Sequence, residues 1–168
     1  VCPADREAGV WASASVAENA ASSTVVYTTA ATDADSDALT YALTGTDAAS
    51  FSIDATTGQV KLLTPADFEV KNSYSITVNA KDASHTTTKV VTINVTDVNE
   101  APSITSGATG TVAENAATST VVYTATATDP ESDTLSYSLT GTDAASFTIN
   151  TAGAVKLITP ADFETKSS

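Results

Sequence analysis

Apolar and polar side chains alternate along much of this chain. In Tyr74-Ser75-Ile76-Thr77-Val78-Asn79-Ala80 every second residue is apolar, which in an extended strand puts Tyr74, Ile76, Val78 and Ala80 on one buried face. The same logic buries Val91, Ile93 and Val95. Strand signals of this kind fall at short, even spacing over 24–31, 39–44, 51–54, 59–63, 74–81 and 89–97, and no stretch shows a helical period. Thr56-Thr57-Gly58 is a turn joining two of these strands as a hairpin.

The pattern is copied. Val16-Ala17-Glu18-Asn19-Ala20-Ala21 returns 96 positions later as Val112-Ala113-Glu114-Asn115-Ala116-Ala117, and Leu43 to Phe51 returns unchanged as Leu139 to Phe147. Between Phe51 and Gly58 the second copy loses one residue, so Thr64-Pro65-Ala66-Asp67-Phe68-Glu69 returns 95 positions later, and a one-residue deletion suits a loop. A repeat of about 95 residues with some seven strands suits a two-sheet sandwich. The predicted fold is therefore all-β: tandem Greek-key, immunoglobulin-like β-sandwich domains. The expected boundaries are an N-terminal arm of unassigned role over 1–15, a first repeat with its linker over 16–102, and a second repeat over 103–168 that lacks counterparts to Tyr74 through Asp97. Two missing core strands would leave an open sandwich with exposed edges, so the natural protein is expected to continue. The absence of an initiator methionine likewise suggests a fragment.

Composition narrows the function. Among 168 residues, 20 acidic side chains face 7 basic ones, giving a net charge of −13 and a pI near 4.1. Such a chain repels nucleic acid and anionic membrane surfaces and attracts dissolved cations. The 42% apolar content and the regular alternation indicate a folded rather than a disordered chain. Cys2 is the only cysteine, so no internal disulfide and no cysteine-based zinc cluster can form. No apolar run reaches the roughly 18 to 20 residues that span a bilayer. With one histidine, one cysteine and no Gly-x-Ser-x-Gly elbow, the chain carries no triad chemistry and is not expected to be an enzyme. His85 is placed in a hairpin turn. Paired acids such as Asp129 and Asp133 are duplicated in both copies and read better as ligands than as a glycosidase pair.

Ca²⁺ takes six to eight oxygen ligands, so a site needs several acids converging from separate parts of the chain. Four clusters qualify: Glu18; Asp33, Asp35 and Asp37; Asp67 and Glu69; and Asp97, Asn99 and Glu100. The second copy repeats the first three. The bland alternative is that surface aspartates merely solvate an acidic protein. An EF-hand fails, because Asp33-Ala34-Asp35-Ser36-Asp37 is followed by Ala38 where that loop needs glycine, and Thr44 occupies its closing glutamate position.

These clusters resemble the calcium motifs of the cadherin repeat: a glutamate near the start, Asp-x-Asp, Asp-x-Glu, Ala-x-Asp, and an Asp-x-Asn-Asp-Asn-Ala-Pro linker. The likeness covers Val16 to Pro102 and, in part, Ser103 to Glu164. The linker Asp97-Val98-Asn99-Glu100-Ala101-Pro102 is one residue short, and the second Asp-x-Asp reads Asp129-Pro130-Glu131. Such variants look like bacterial cadherin-like repeats. The resemblance implies a site between repeats built from Glu18, Asp67 and Glu69, from Asp97, Asn99 and Glu100, and from Asp129 and Glu131. It implies a second half-site of Asp33, Asp35 and Asp82. Ca²⁺ is then the implied cofactor, and the expected role is a calcium-stiffened adhesion or spacer module, extracellular or on the cell surface. Its partners would be other copies of itself or surface glycans. Rival readings are a calcium-dependent carbohydrate-binding module and an accessory domain of a larger secreted enzyme. Trp11 lies outside the repeat, while Tyr27, Tyr41 and Tyr74 fall in strands where core packing is their expected use. Asn94-Val95-Thr96 matches a glycosylation sequon on a strand.

Overall fold

The computed structural model describes residues 12–164, which form two compact units divided between Val98 and Asn99. The first is a β-sandwich of seven strands: β1 (Ala12–Ala17), β2 (Val25–Thr28), β3 (Thr40–Thr44), β4 (Phe51–Ile53), β5 (Gln59–Leu62), β6 (Ser73–Lys81) and β7 (Thr86–Thr96). One sheet has the order β1-β7-β6-β3 and the other β2-β5-β4. Their facing sides build the core predicted from the alternation, with Ile76, Val91 and Ile93 fully buried from one sheet and Val60 from the other. Tyr27, Tyr41 and Tyr74 are half-buried against this core. Phe51 meets Tyr74 edge to face with ring centroids 5.3 Å apart, a geometry that satisfies the ring quadrupoles.

Strand β1 begins inside the segment assigned to an arm, at Ala12. Its sequence, Ala-Ser-Ala-Ser-Val-Ala, alternates but has little apolar bulk, and it becomes a strand because it pairs in parallel with β7, from Ala12 opposite Val91 to Ala17 opposite Thr96. Cys2, Trp11 and the rest of residues 1–11 lie outside the described residues, as do residues 165–168.

The second unit repeats one sheet and not the other. It contains β8 (Ser103–Ile104), β9 (Val121–Thr124), β10 (Ala127–Thr128), β11 (Phe147–Ile149) and β12 (Ala154–Leu157). The sheet β11-β12-β9 reproduces β4-β5-β2, down to Phe147 opposite Leu157 where the first copy has Phe51 opposite Leu62. Residues 108–113 and 136–140, the counterparts of β1 and β3, form no strand. In the first unit the one strand beside β1 is β7, and the one strand beside β3 is β6. Without those central strands neither segment has its strand partner among the described residues, so related sequence takes a different local structure. Only the two-stranded β8–β10 pair is added.

The one-residue deletion falls in the hairpin turn. In the first copy the Asp54 carboxylate accepts the N–H groups of Thr56 and Thr57 at 2.9 and 2.8 Å. In the second, the Asn150 side-chain oxygen accepts those of Ala152 and Ala154 at 3.0 and 2.9 Å. Both turns close on a left-handed glycine, Gly58 (φ 67°) and Gly153 (φ 77°). At Gly153 a side chain is further excluded, since its Cβ would stand 2.1 Å from the Ala125 carbonyl oxygen.

Truncating Ile76 to alanine should destabilise the first unit by about 2–5 kcal/mol in denaturant unfolding. Hydrogen exchange provides an independent check. Amides of the β3–β6 ladder, and that of Tyr41, which donates to the Ala55 carbonyl at 2.9 Å, should exchange far more slowly than their sequence counterparts at 136–140.

Candidate metal centre

At one end of the first unit the parallel register brings two acids side by side. Because Ala17 lies opposite Thr96, the next residues, Glu18 and Asp97, leave the same end of adjacent strands. The Glu18 N–H donates to the Thr96 carbonyl at 3.0 Å. Asn19 then turns the chain away with a left-handed φ of 56°, and its N–H donates to the Ala66 carbonyl at 2.9 Å. That bond attaches the loop after β5, which carries Glu69.

Glu18 holds this end together. Only 3% of its surface is exposed. Its Oε2 accepts the N–H of Phe68 at 2.8 Å, and its Oε1 accepts that of Val98 at 2.7 Å. One carboxylate thus bridges backbone segments 50 and 80 residues away. These two bonds, that from Phe68 first, hold the Glu18 carboxyl below the usual glutamate range against the opposing effect of burial. Each carboxylate oxygen has a second lone pair, so accepting these donors leaves capacity for a cation.

Glu18, Glu69 and Asp97 each offer one carboxylate oxygen, and the three oxygens lie within 4.8 Å of one another. Glu69 and Asp97 are exposed. Bringing three carboxylates so close is repulsive, and a divalent cation turns that repulsion into coordination. The donors are all hard oxygens, with no imidazole or thiolate among them, which is the chemistry of Ca²⁺ rather than of Zn²⁺ or copper.

Within the first unit, Asp67, Asp33, Asp35 and Asp82 serve their own turns. Asp67 supports its own loop, accepting the Val70 N–H at 2.9 Å. Asp33 accepts the N–H groups of Asp35 and Asp37, and Asp82 accepts those of Ser84 and His85 in the β6–β7 turn. These are self-contained turns, and among the described residues Asp33, Asp35 and Asp82 do not join a three-carboxylate group. In the second unit Glu131 Oε2 accepts the Glu100 N–H at 3.3 Å, while its Oε1 is buried without a hydrogen-bond partner. Asp129 accepts the Asp133 N–H at 3.0 Å, and the Asn99 side chain donates to the Glu100 carbonyl at 3.1 Å.

The acids repeated in the second copy form a cluster of their own. Glu114, Asp162 and Glu164 also place three carboxylate oxygens within 4.8 Å of one another, all three residues being exposed. They are the repeat counterparts of Glu18, Asp67 and Glu69, and the 96- and 95-residue offsets are the signal that carries them. Glu114 lies open where Glu18 is buried, because no counterpart of the β7 end covers it among the described residues.

A family model described as the cadherin domain matches residues 12–96, half of the chain. Cadherin-related family member 2 of mouse is 40% identical over 76 residues, which span 45% of this chain and 6% of that protein. The chain is therefore a small part of such a relative's length. Among solved structures, repeats EC1-2 of human protocadherin-24 superpose with a TM-score of 0.73 at 23% identity, over 92% of this chain and 77% of that one. Repeats EC22-24 of mouse cadherin-23 superpose with a TM-score of 0.61 at 27% identity, over 92% and 53%. The first of these likenesses is one of fold. These relatives are mouse and human proteins, so the bacterial variety suggested by the linker finds no support among them.

Glu18 sets a pH dependence. Its folded pKa is lowered, so its stabilisation is complete above the ordinary glutamate value of about 4.3 and is lost as pH falls through the lower folded value. In chelator, the melting temperature of the first unit should therefore drop on acidification below about pH 4. Glu18→Gln should lower it at neutral pH and flatten that acid limb.

Proposed function

The chain belongs to the cadherin family, and on that footing we propose that it is a calcium-binding, calcium-stiffened adhesion or spacer module working outside the cell or at its surface. The observation that carries this reading is the meeting of Glu18, Glu69 and Asp97 at one end of the first repeat. Glu18 is fixed there by backbone donors, so the ligands are gathered before the ion arrives, and binding need not order them. The three carboxylates supply part of the six to eight oxygens Ca²⁺ requires. Resemblance to the family assigns the remainder to Asp67, Asn99, Glu100, Asp129 and Glu131, and a weaker half-site to Asp33, Asp35 and Asp82. When bound, the ion supplies charge neutralisation and links its ligands, with no reaction chemistry; the function is mechanical. Fixing the linker acids would reduce the freedom of successive repeats and turn flexible beads into a rod.

Contacts with other copies of the protein or with surface glycans are the adhesive role in this reading. The half-burial of Tyr27, Tyr41 and Tyr74 against the core favours a protein partner over a sugar, since those rings are not available as stacking platforms. No catalytic role is proposed.

Calorimetric titration of Ca²⁺ into chelator-stripped protein should show saturable binding in the millimolar range or below. Glu69→Ala and Asp97→Ala should each weaken it roughly tenfold, because ligand charge sets affinity. Without Ca²⁺ the same variants should melt no lower than the parent, since each removes a repulsive charge. Unchanged affinity in both variants would overturn the site assignment.

A further inference from the structure

Strands β1, β6 and β7 contain no aspartate or glutamate, although 20 of the 168 residues are acidic. Their outward positions carry small hydroxyl and amide side chains instead. On β7, Thr92, Asn94 and Thr96 alternate with the buried Val91, Ile93 and Val95 and so point away from the core. Asn94 stands between Ser15 of β1 and Ser73 of β6, and the neighbouring row sets Thr92 between Ser13 and Ser75. All of these outward residues are exposed except Thr92, which is half-buried. The sheet face around Asn94 is therefore neutral, hydroxyl-rich and without bulky side chains.

Asn94-Val95-Thr96 is the one Asn-x-Ser/Thr sequence in the chain. The period of two along β7 places both its amide and its hydroxyl on this outward face. Asn79, at an outward position of β6, is committed to the sheet: its Nδ2 donates to the Ala42 carbonyl at 3.3 Å and to Thr44 Oγ1 at 3.0 Å. The Asn94 amide has no such partner among the described residues. Its nitrogen is free for chemistry, and the fold does not depend on it.

We propose that Asn94 is a glycan acceptor and that the glycan covers the neutral face of the β1-β7-β6 sheet. The inference rests on the extracellular reading above, because the sugar donor, a lipid-pyrophosphate-linked oligosaccharide, is met on the secretory route. Asn94 Nδ2 bonds to the anomeric carbon of the first sugar, the bond from that carbon to the pyrophosphate oxygen breaks, and one amide proton leaves with the lipid pyrophosphate. Nothing is oxidised or reduced. Because β7 lies between two strands, the transfer takes place on the extended chain before the sheet closes, and the folded sheet has only to accommodate the product. It can do so because the residues directly across both ladders, Ser15 and Ser73, are small. The hydrated oligosaccharide then occupies an area that lacks the charge keeping the rest of an acidic chain apart from its copies. Adhesive contacts would fall on other faces of the repeat.

The test produces the 168-residue chain behind a secretory leader in cultured animal cells and recovers it from the medium. Its intact mass is compared before and after an amidase that releases Asn-linked glycans and leaves aspartate at the acceptor. One glycan per chain is expected, with the conversion mapped to position 94. Asn94→Gln should abolish it and should melt with the deglycosylated parent. Thr96→Ala should abolish it too, whereas Thr96→Ser, which keeps the hydroxyl that donates to the Val16 carbonyl, should retain part of it. As a positive control, Ala152→Thr gives Asn150, in the exposed turn of the second unit, the same motif. Occupied Asn150 beside a bare Asn94 would overturn the proposal, as would an Asn-linked glycan that survives Asn94→Gln. A bare Asn94 in a chain that dimerises in sedimentation, and that Asn94→Arg returns to monomer, would overturn it by assigning the face to a second copy. Calcium affinity of the deglycosylated chain separates this inference from the calcium reading: a bare Asn94 leaves that affinity unchanged, and a lost calcium site leaves the occupancy of Asn94 unchanged.

Discussion

A carboxylate withdrawn from water persists only where protein donors replace the water. Glu18 meets that condition with the N–H groups of Phe68 and Val98, and in meeting it ties together three segments that are remote in sequence. The arrangement begins in the sheet. Parallel pairing of β1 with β7 delivers Glu18 and Asp97 to the same end, and the Asn19 to Ala66 bond brings up the loop that carries Glu69. The buried acid acts as a staple, and on the proposed reading its exposed neighbours provide the open side of a cation site. That reading gives one residue both a structural and a coordinating role, which is why charge removal at Glu18 and at Glu69 should have different consequences.

The two copies serve as an internal control on what makes a strand. The hairpin β4–β5 and its partner β2 recur as β11, β12 and β9 because their contacts are local and wholly contained in both copies. The counterparts of β1 and β3 keep about half of the same residues but have no strand partner among the described residues, and they form no strand. Strand formation here is a property of pairing, with side-chain preference deciding only which face would be buried. The same comparison shows that Asp47 and Phe51 keep their backbone geometry when β6 is absent, as Asp143 and Phe147 demonstrate.

Much of this was legible in the sequence. Alternation located β2 to β7 and the buried set Ile76, Val78, Val91, Ile93 and Val95, since a period of two has one interpretation when the residues are β-branched. The duplicated motifs revealed the repeat, and its one-residue deletion fell in a turn. Strand β1 was hidden because alanine and serine carry little strand preference, and only the β7 register makes them extended. Within the first unit, the resemblance to the cadherin repeat grouped Glu18, Asp67 and Glu69 with Asp97 but did not say which carboxylates converge. Asp67 turns back to its own loop, as do Asp33 and Asp82, because a short acid two or three residues before free N–H groups satisfies them first. The Glu114, Asp162 and Glu164 cluster was encoded by the offset alone.

The central claim is that Glu18, Glu69 and Asp97 form the core of a calcium site. Crystals grown with Ca²⁺ and measured for its anomalous scattering test it most directly. The account expects a peak about 2.3–2.6 Å from a carboxylate oxygen of each of these three residues. A peak that leaves Glu69 and Asp97 uncoordinated, or none near Glu18 at saturating Ca²⁺, would contradict it.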